Sequence, residues 1–334
     1  MEKIMLCSKD DLQGVQRFIH EKWRENHILS FNNGLIDFQH GNDGGYNFVI
    51  AKNQYNDITA ILGFIPLSQY DAGLGDTANI WLAIWKVDEA NAAPGTGFAL
   101  LKWLEKHFKP NSIGSIGINK NVKRIYDILG YRAGVLKHYY ITNPSVSDFK
   151  IIEPGDAGRT SVGRQSPLSV VREIERKDLE QLTFDASPQK SINFIHNRYL
   201  SHPVYKYILL GIYTDTALKA VIVARKIVVK SAACLRIVDI QGSYAEIGNL
   251  RNGIAELLNK HKCEYIDCLN HGIAEETFSK WGFSLKAGST IIPEYFEPFV
   301  KKNIDIMFAY KSKEEKYIIF KGDSDQDRPN VILK

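Results

Sequence analysis

Residues 78–110 read ANIWLAIWKVDEANAAPGTGFALLKWLEKHFKP and carry the strongest structural signal in the chain. A β-rich run ends at Val87 and a glycine-bearing loop follows. Leu100, Leu101, Leu104 and Phe108 then recur at helical spacing until Pro110 stops the helix. First-turn helix amides lack intrahelical carbonyl partners, and Gly95 and Gly97 leave room for an anion to approach the backbone. The turn Gly95–Thr96–Gly97–Phe98 is therefore a candidate pyrophosphate site. Taken alone, G-x-G fits a tight strand-to-helix turn equally well.

Upstream, YNFVIAK from Tyr46 and ITAILGFIPL from Ile58 are further β-rich runs; with the run from Ala78 they predict an antiparallel meander. Near the start, a strand from Lys3 to Leu6 precedes Ser8, which pairs with Asp11 as a capping box. The helix this box opens is expected to reach about Asn26, with Leu12, Val15, Phe18 and Ile19 at helical spacing. Downstream, SIGSIGI is a strand, Val122 to Leu129 a helix stopped by Gly130, and Gly134 to Ile141 a strand expected to complete this half.

The chain has 334 residues, enough for two domains of roughly 150 each. Between Asn143 and Pro167 it is dense in Pro, Ser, Gly and Asp, which marks a linker. Sliding the second half over the first so that His271 meets Asn119, an offset of 152, brings out a faint repeat. Strand, helix and a Gly-aromatic stop recur in order, with Phe278 opposite Tyr126 and Gly282 opposite Gly130. The expected organisation is a first domain over 1–153, a linker over 154–167, a duplicated domain over 168–322 and a polar tail over 323–334. The fold class is α/β (α+β), with two tandem units.

Charge and cysteine usage narrow the partners. Lys and Arg exceed Asp and Glu by 42 to 38, a net +4, which disfavours a nucleic-acid surface or a polybasic membrane anchor. No apolar run approaches the ~20 residues of a membrane span, and no signal peptide is evident, so a cytoplasmic protein is expected. Cys7, Cys234, Cys263 and Cys268 lack metal-ligand spacing and read as reduced structural thiols, with no metal expected. A homodimer is compatible with the sequence.

The first half resembles the GCN5-related N-acetyltransferases (GNAT), in which a strand valine precedes the first loop glycine by eight residues. An Asn after the next strand then precedes a Tyr by seven residues, and a Gly-aromatic pair follows. Val87, Gly95, Gly97, Asn119, Tyr126, Gly130 and Tyr131 keep this register, while Ala92 replaces the usual basic or amide loop residue. The resemblance implies two tandem GNAT-like domains, each a mixed, centrally splayed sheet flanked by helices. It also implies acyl transfer from an acyl-CoA (acetyl-CoA or hydroxyacyl-CoA) to a primary amine without a metal. The cofactor would lie along Val87, Gly95, Thr96, Gly97, Phe98 and Asn119, with Tyr126 as the general acid for the leaving thiolate. Asp88 and Glu89, directly after the strand, are the expected base, with His138 a second choice. The duplicated half has Ile247 and Asn249 in place of the glycines and Phe278 in place of the acid, so it is expected to form an acceptor-binding wall.

Two polar-aromatic segments are expected to furnish that wall: Trp23 to His40, with His27, Asp37 and Gln39, and Arg198 to Tyr207, with Tyr199, His202 and Tyr205. His, Asp and Gln read hydroxyls, Tyr stacks on rings and Arg clamps phosphate; interface packing explains the same residues equally well. These segments, with the terminal GDSDQDRPN, resemble two-domain GNAT enzymes that N-acylate dTDP-linked amino sugars for bacterial surface polysaccharide such as O-antigen. The alternatives are a tandem-GNAT aminoacyltransferase of the cell-wall bridge type and a non-catalytic acyl-CoA or sugar-binding protein.

Overall fold

The structure, a computed structural model, describes residues 2–75, 79–155, 169–184 and 186–330. Ala78, most of the expected linker and the last four residues of the tail lie outside the described residues. In the first half the strands are β1 (Lys3–Ser8), β2 (Gly41–Asn42), β3 (Gly45–Lys52), β4 (Ile58–Pro66), β5 (Asn79–Val87), β6 (Ser112–Ile118), β7 (Arg132–Val135) and β8 (Lys137–Thr142). Its helices are α1 (Leu12–Phe18), α2 (Asn33–His40), α3 (Thr96–Phe108) and α4 (Lys120–Ile128). The second half carries β9 (Val170–Ile174), α5 (Ile192–Ile195), β10 (Tyr207–Thr214), β11 (Ala217–Val229), β12 (Ala232–Gly242), α6 (Arg251–His261), β13 (Tyr265–His271) and α7 (Glu275–Trp281). Short strands complete it: β14 (Ser284–Leu285), β15 (Tyr295–Phe296), β16 (Phe299–Val300), β17 (Met307–Ser312) and β18 (Ile319–Phe320).

The expected meander forms: β3, β4 and β5 are antiparallel neighbours, and β6 then runs parallel to β5. The first helix ends close to where expected. Asp11 accepts from the Ser8 amide at 3.0 Å, α1 runs to Phe18 and continues as a wider π-helical turn over Ile19–Trp23, and the chain becomes extended at Arg24, two residues short of Asn26. Leu100, Leu101 and Leu104 of α3 pack with Val49 and Leu62 on one face of the first sheet, while Val15 and Ile36, from α1 and α2, pack with Phe48 and Ile61 on the other. The repeat is physical: β12 and β13 are parallel as β5 and β6 are, and α7 ends at Gly282 in the left-handed region with φ 94°.

The halves exchange strands. The first sheet runs β1-β3-β4-β5-β6-β17-β7, so a strand from the C-terminal half is inserted between β6 and β7. The second runs β14-β8-β13-β12-β11-β10-β9, so β8, expected to complete the first half, sits in the other sheet. A β-rich run identifies a strand and says nothing of its partner. A shared core binds the halves: Trp81, Ile116 and Tyr70 pack with Tyr199, Tyr207 and Val238 and with Phe308 of the inserted strand.

The terminal segment is a second correction. Instead of an exposed polar tail, residues 323–330 form a strap between the halves. Asp323, Ser324, Asp325 and Asp327 are all buried, and Ser324 donates to the Leu82 carbonyl on β5 at 2.8 Å. Its carboxylates tolerate burial because cations meet them: Arg225 and Lys190, from distant segments, lie 2.9 Å from Asp327 and 2.8 Å from Asp323, and Arg328 of the strap itself lies 3.2 Å from Asp325.

Candidate functional site

β5 and β6 pair only from Asn79 to Leu82 and from Ser112 to Ser115. A bulge on β5 opposite Gly63 helps turn the strand aside, and the two then separate. Between them lies a cleft of about 580 Å³, lined by Ala83–Val87 from β5 and Ser115–Asn119 from β6. Gly95, Gly97 and Phe98 close one end; Tyr126, Asp325, Gln326 and Arg328 also line the cleft, and Trp23 and Ile125 lend it half-exposed apolar edges.

The glycine turn is built for close approach. Gly95 caps α3 at φ 85°, with nothing within 4 Å of where a side chain would start. A Cβ on Gly97 would come within 3.0 Å of the Val87 side chain and 3.4 Å of Trp85 Nε1. Thr96 turns inward, its hydroxyl donating to the Ala93 carbonyl at 2.8 Å and meeting Glu2. Asn119 caps α4 by accepting from the Val122 amide at 2.9 Å. An open helix start with glycine at both approach points suits a phosphate chain, and the apolar strand edges suit a thin, extended ligand. These residues fit the phosphate end and arm of an acyl-CoA.

Tyr126 reaches the cleft from α4 with its ring against Trp85 and Tyr131, centroids 5.9 and 5.0 Å away. Burial pushes its phenol up to about 12, opposed by the hydrogen bond with Ser115. At neutral pH it holds its proton, as a donor must. In the second half Phe278 is stacked on Tyr139 at 3.9 Å inside the core.

Of the expected base residues, Glu89 lines the cleft, while Asp88 and His138 are held elsewhere. The carboxylate of Asp88 is held by Lys22 at 3.0 Å and Asn91 at 2.8 Å, and it lines a separate surface groove. Glu89 lies in the turn just past β5, whose last residue, Val87, comes within 3.0 Å of a Cβ on Gly97, and so lines the cleft at its glycine end. His138, carried off by β8, is buried in the second half, with Nε2 2.8 Å from Asp267.

The two polar-aromatic segments do meet, with the strap between them. Phe38 touches His202 edge-on, with centroids 5.1 Å apart. The Ile28 amide donates to the Asn330 carbonyl at 3.1 Å, and the Tyr207 hydroxyl donates to Asp327 at 2.6 Å. Most of the side chains face inward. Arg198, read as a phosphate clamp, is 1% exposed, donates to the Gly322 carbonyl at 3.2 Å and lies over the Tyr70 and Tyr199 rings. Tyr199 donates to Asp239 at 2.8 Å, while Asp37 faces solvent and accepts from Tyr46 at 2.7 Å. His27 and His202 use Nδ1 to accept local backbone amides, and burial lowers each to about 3. Gln39 is wholly buried, with neither polar end partnered among the described residues. Tyr205 lines a second, smaller chamber.

The second half's own splay is occupied by the chain itself. β12 and β13 pair only over Leu235–Ile237 and Ile266–Cys268, and the chain's own β18 fills the widening gap. It pairs with Asn270 and His271, and the Gly322 amide closes onto the Val238 carbonyl at 3.0 Å. A Cβ on Gly322 would lie 2.4 Å from that oxygen.

Among the described residues, no helix is long and apolar enough to cross a membrane, and no cluster of His, Cys, Asp or Glu could hold a metal. Sequence reasoning missed Asp325 and Gln326 as cleft residues; the signal available was a compact run of Asp, Gln and Arg, which composition alone reads as solvated. No protein-family model and no curated protein matches the sequence. Solved structures do. A GCN5-related N-acetyltransferase from Anabaena variabilis superposes with TM-score 0.53 at 14% identity, covering 92% of this chain and 72% of that one. A proposed acetyltransferase from Pyrococcus horikoshii gives 0.50 at 9% over 99% and 94%. A conserved protein of unknown function from Enterococcus faecalis, a suggested N-acyltransferase, gives 0.52 at 8% over 92% and 72%. Likeness at such identity speaks to architecture, and with the splayed strands and glycine turn it establishes that the chain has the fold of the GCN5-related N-acetyltransferases in two tandem units.

Proposed function

We propose that the protein is an acyl-CoA-dependent N-acyltransferase whose acceptor is the primary amine of a nucleotide-linked amino-deoxy sugar, of the dTDP-linked kind used for surface polysaccharide. The observation that carries the transferase reading is the cleft between β5 and β6, with a glycine turn at one end and a protonated Tyr126 within it. When bound, the acyl-CoA supplies an activated thioester. This chain's residues do the rest: Gly95 and Gly97 admit the phosphates, unpaired amides of the splayed β5 polarise the carbonyl, and Tyr126 protonates the departing sulfur. The sugar-nucleotide reading rests on the resemblance of the 27–40 and 198–207 segments and the strap, and thiol release with acyl-CoAs against a panel of nucleotide amino sugars tests it.

Binding should be confined to the first half. Calorimetric titration of acetyl-CoA is expected to give one site per chain, since β18 fills the second splay. Gly97→Glu places bulk against Val87 and negative charge at the phosphate site, and should weaken binding by at least about tenfold, or 1.4 kcal/mol. Two sites, or undiminished affinity in this variant, would overturn the assignment.

A further inference from the structure

A second chamber, of about 70 Å³, lies beyond the strap, bounded by Tyr205 and Arg225 from the second half, by Glu294, Tyr295 and Glu297, and by Lys321. Asp325, Gln326 and Arg328 line both this chamber and the cleft. These three side chains thus stand where the two spaces adjoin. Among the described residues, Glu89 and Asp325 are the carboxylates lining the cleft, and Glu89 stands at the glycine end. Asp325 stands at the other. Its neighbour Ser324 bonds Leu82, the last β5 residue paired with β6, and the Gln326 side chain lies within 2.5 Å of where a Cβ on Gly117 would be.

We propose that the chamber admits the amine-bearing end of the acceptor and that Asp325 seats that amine and takes its proton. This rests on the acyl-transfer reading above. Arg328 occupies Oδ2 through two contacts at 3.2 Å. On Oδ1, Gln326 donates at 3.0 Å, while the Ser324 hydroxyl lies closer to Leu82 than to Asp325. A carboxylate oxygen accepts about two hydrogen bonds, so Oδ1 keeps a place for an N–H donor. In the reaction the amine nitrogen bonds to the thioester carbon and the carbon–sulfur bond breaks. One proton passes from nitrogen to Asp325, and sulfur receives one from Tyr126. The chamber is too small for a whole nucleotide sugar. Its lining of Tyr205, Arg225, Glu297 and Lys321 fits a primary amine flanked by hydroxyl groups.

The test uses the full chain, acetyl-CoA and two amines: dTDP-3-amino-3,6-dideoxygalactose and methylamine. Asp325→Asn, which preserves shape and can still accept from Arg328, should lower kcat by about 10²-fold for whichever amine the wild type acylates. Acetyl-CoA affinity by calorimetry should stay within about twofold, the sign that the cleft is intact. Asp325→Glu should recover part of the rate with a raised KM for the amine. Methylamine acylated without the dTDP sugar would remove the sugar reading and leave this one standing. An unchanged kcat in Asp325→Asn, or acetyl-CoA bound with neither amine acylated, overturns the proposal.

Discussion

Tyr126→Phe is expected to lower kcat by about 10²-fold or more while leaving acyl-CoA affinity nearly unchanged. The substitution keeps the ring that packs against Trp85 and Tyr131 and removes only the hydroxyl bonded to Ser115. A thiolate leaving without a proton source raises the barrier to its departure, whereas phosphate and strand contacts formed before chemistry are untouched. The split between kcat and binding is therefore the diagnostic result. Steady-state kinetics with calorimetry provides it, and a loss under about threefold would make Tyr126 a packing residue.

Acid should unfold the protein well before its carboxylates titrate. His27, His40 and His202 are buried, and burial lowers them to about 3, 4 and 3 in the fold, against about 6.5 in the unfolded chain. Two of them accept backbone amides through Nδ1, a role that protonation of that nitrogen abolishes. Below pH 6.5 the unfolded chain binds protons that the fold refuses, so stability is lost as pH falls. Each histidine contributes a limiting slope of about 1.4 kcal/mol per pH unit, and three together about 4. Urea denaturation at pH 7, 6 and 5 measures this. His40→Gln should flatten the curve by about a third, and equal stability at pH 7 and 5 would contradict the account.

The strand, glycine turn and helix at 78–110 were legible because each is a local pattern, and so was the repeat, whose helix stop falls on Gly282. Val87, Asn119 and Tyr126, singled out by their spacing, all line the cleft. Three things were not legible. The β-rich run read as a strand at Gly134–Ile141 leaves no trace of its partner in the other half, and β17 was not read from the sequence. Arg198 reads as an exposed clamp because Arg usually is one; its burial depends on the Gly322 carbonyl, 124 residues away in sequence. Asp327 reads as solvated because its compensating cation, Arg225, lies 102 residues away, and Asp325 because the burial of the run it shares with Arg328 depends on both halves.

The exchange of β8 and β17 has a consequence for how the molecule can be divided. Cutting the chain between Thr142 and Val170 does not yield two modules. The N-terminal fragment would have an open slot between β6 and β7 and a spare strand with no sheet, while the C-terminal fragment would carry the reciprocal vacancy and surplus. Each piece holds the other's missing part, so co-expressed fragments should reassemble as a clasped heterodimer, whereas either alone would present unpaired strand edges to any neighbour. The covalent connection is then a tether that sets local concentration during folding, and the clasp itself keeps the halves together afterwards.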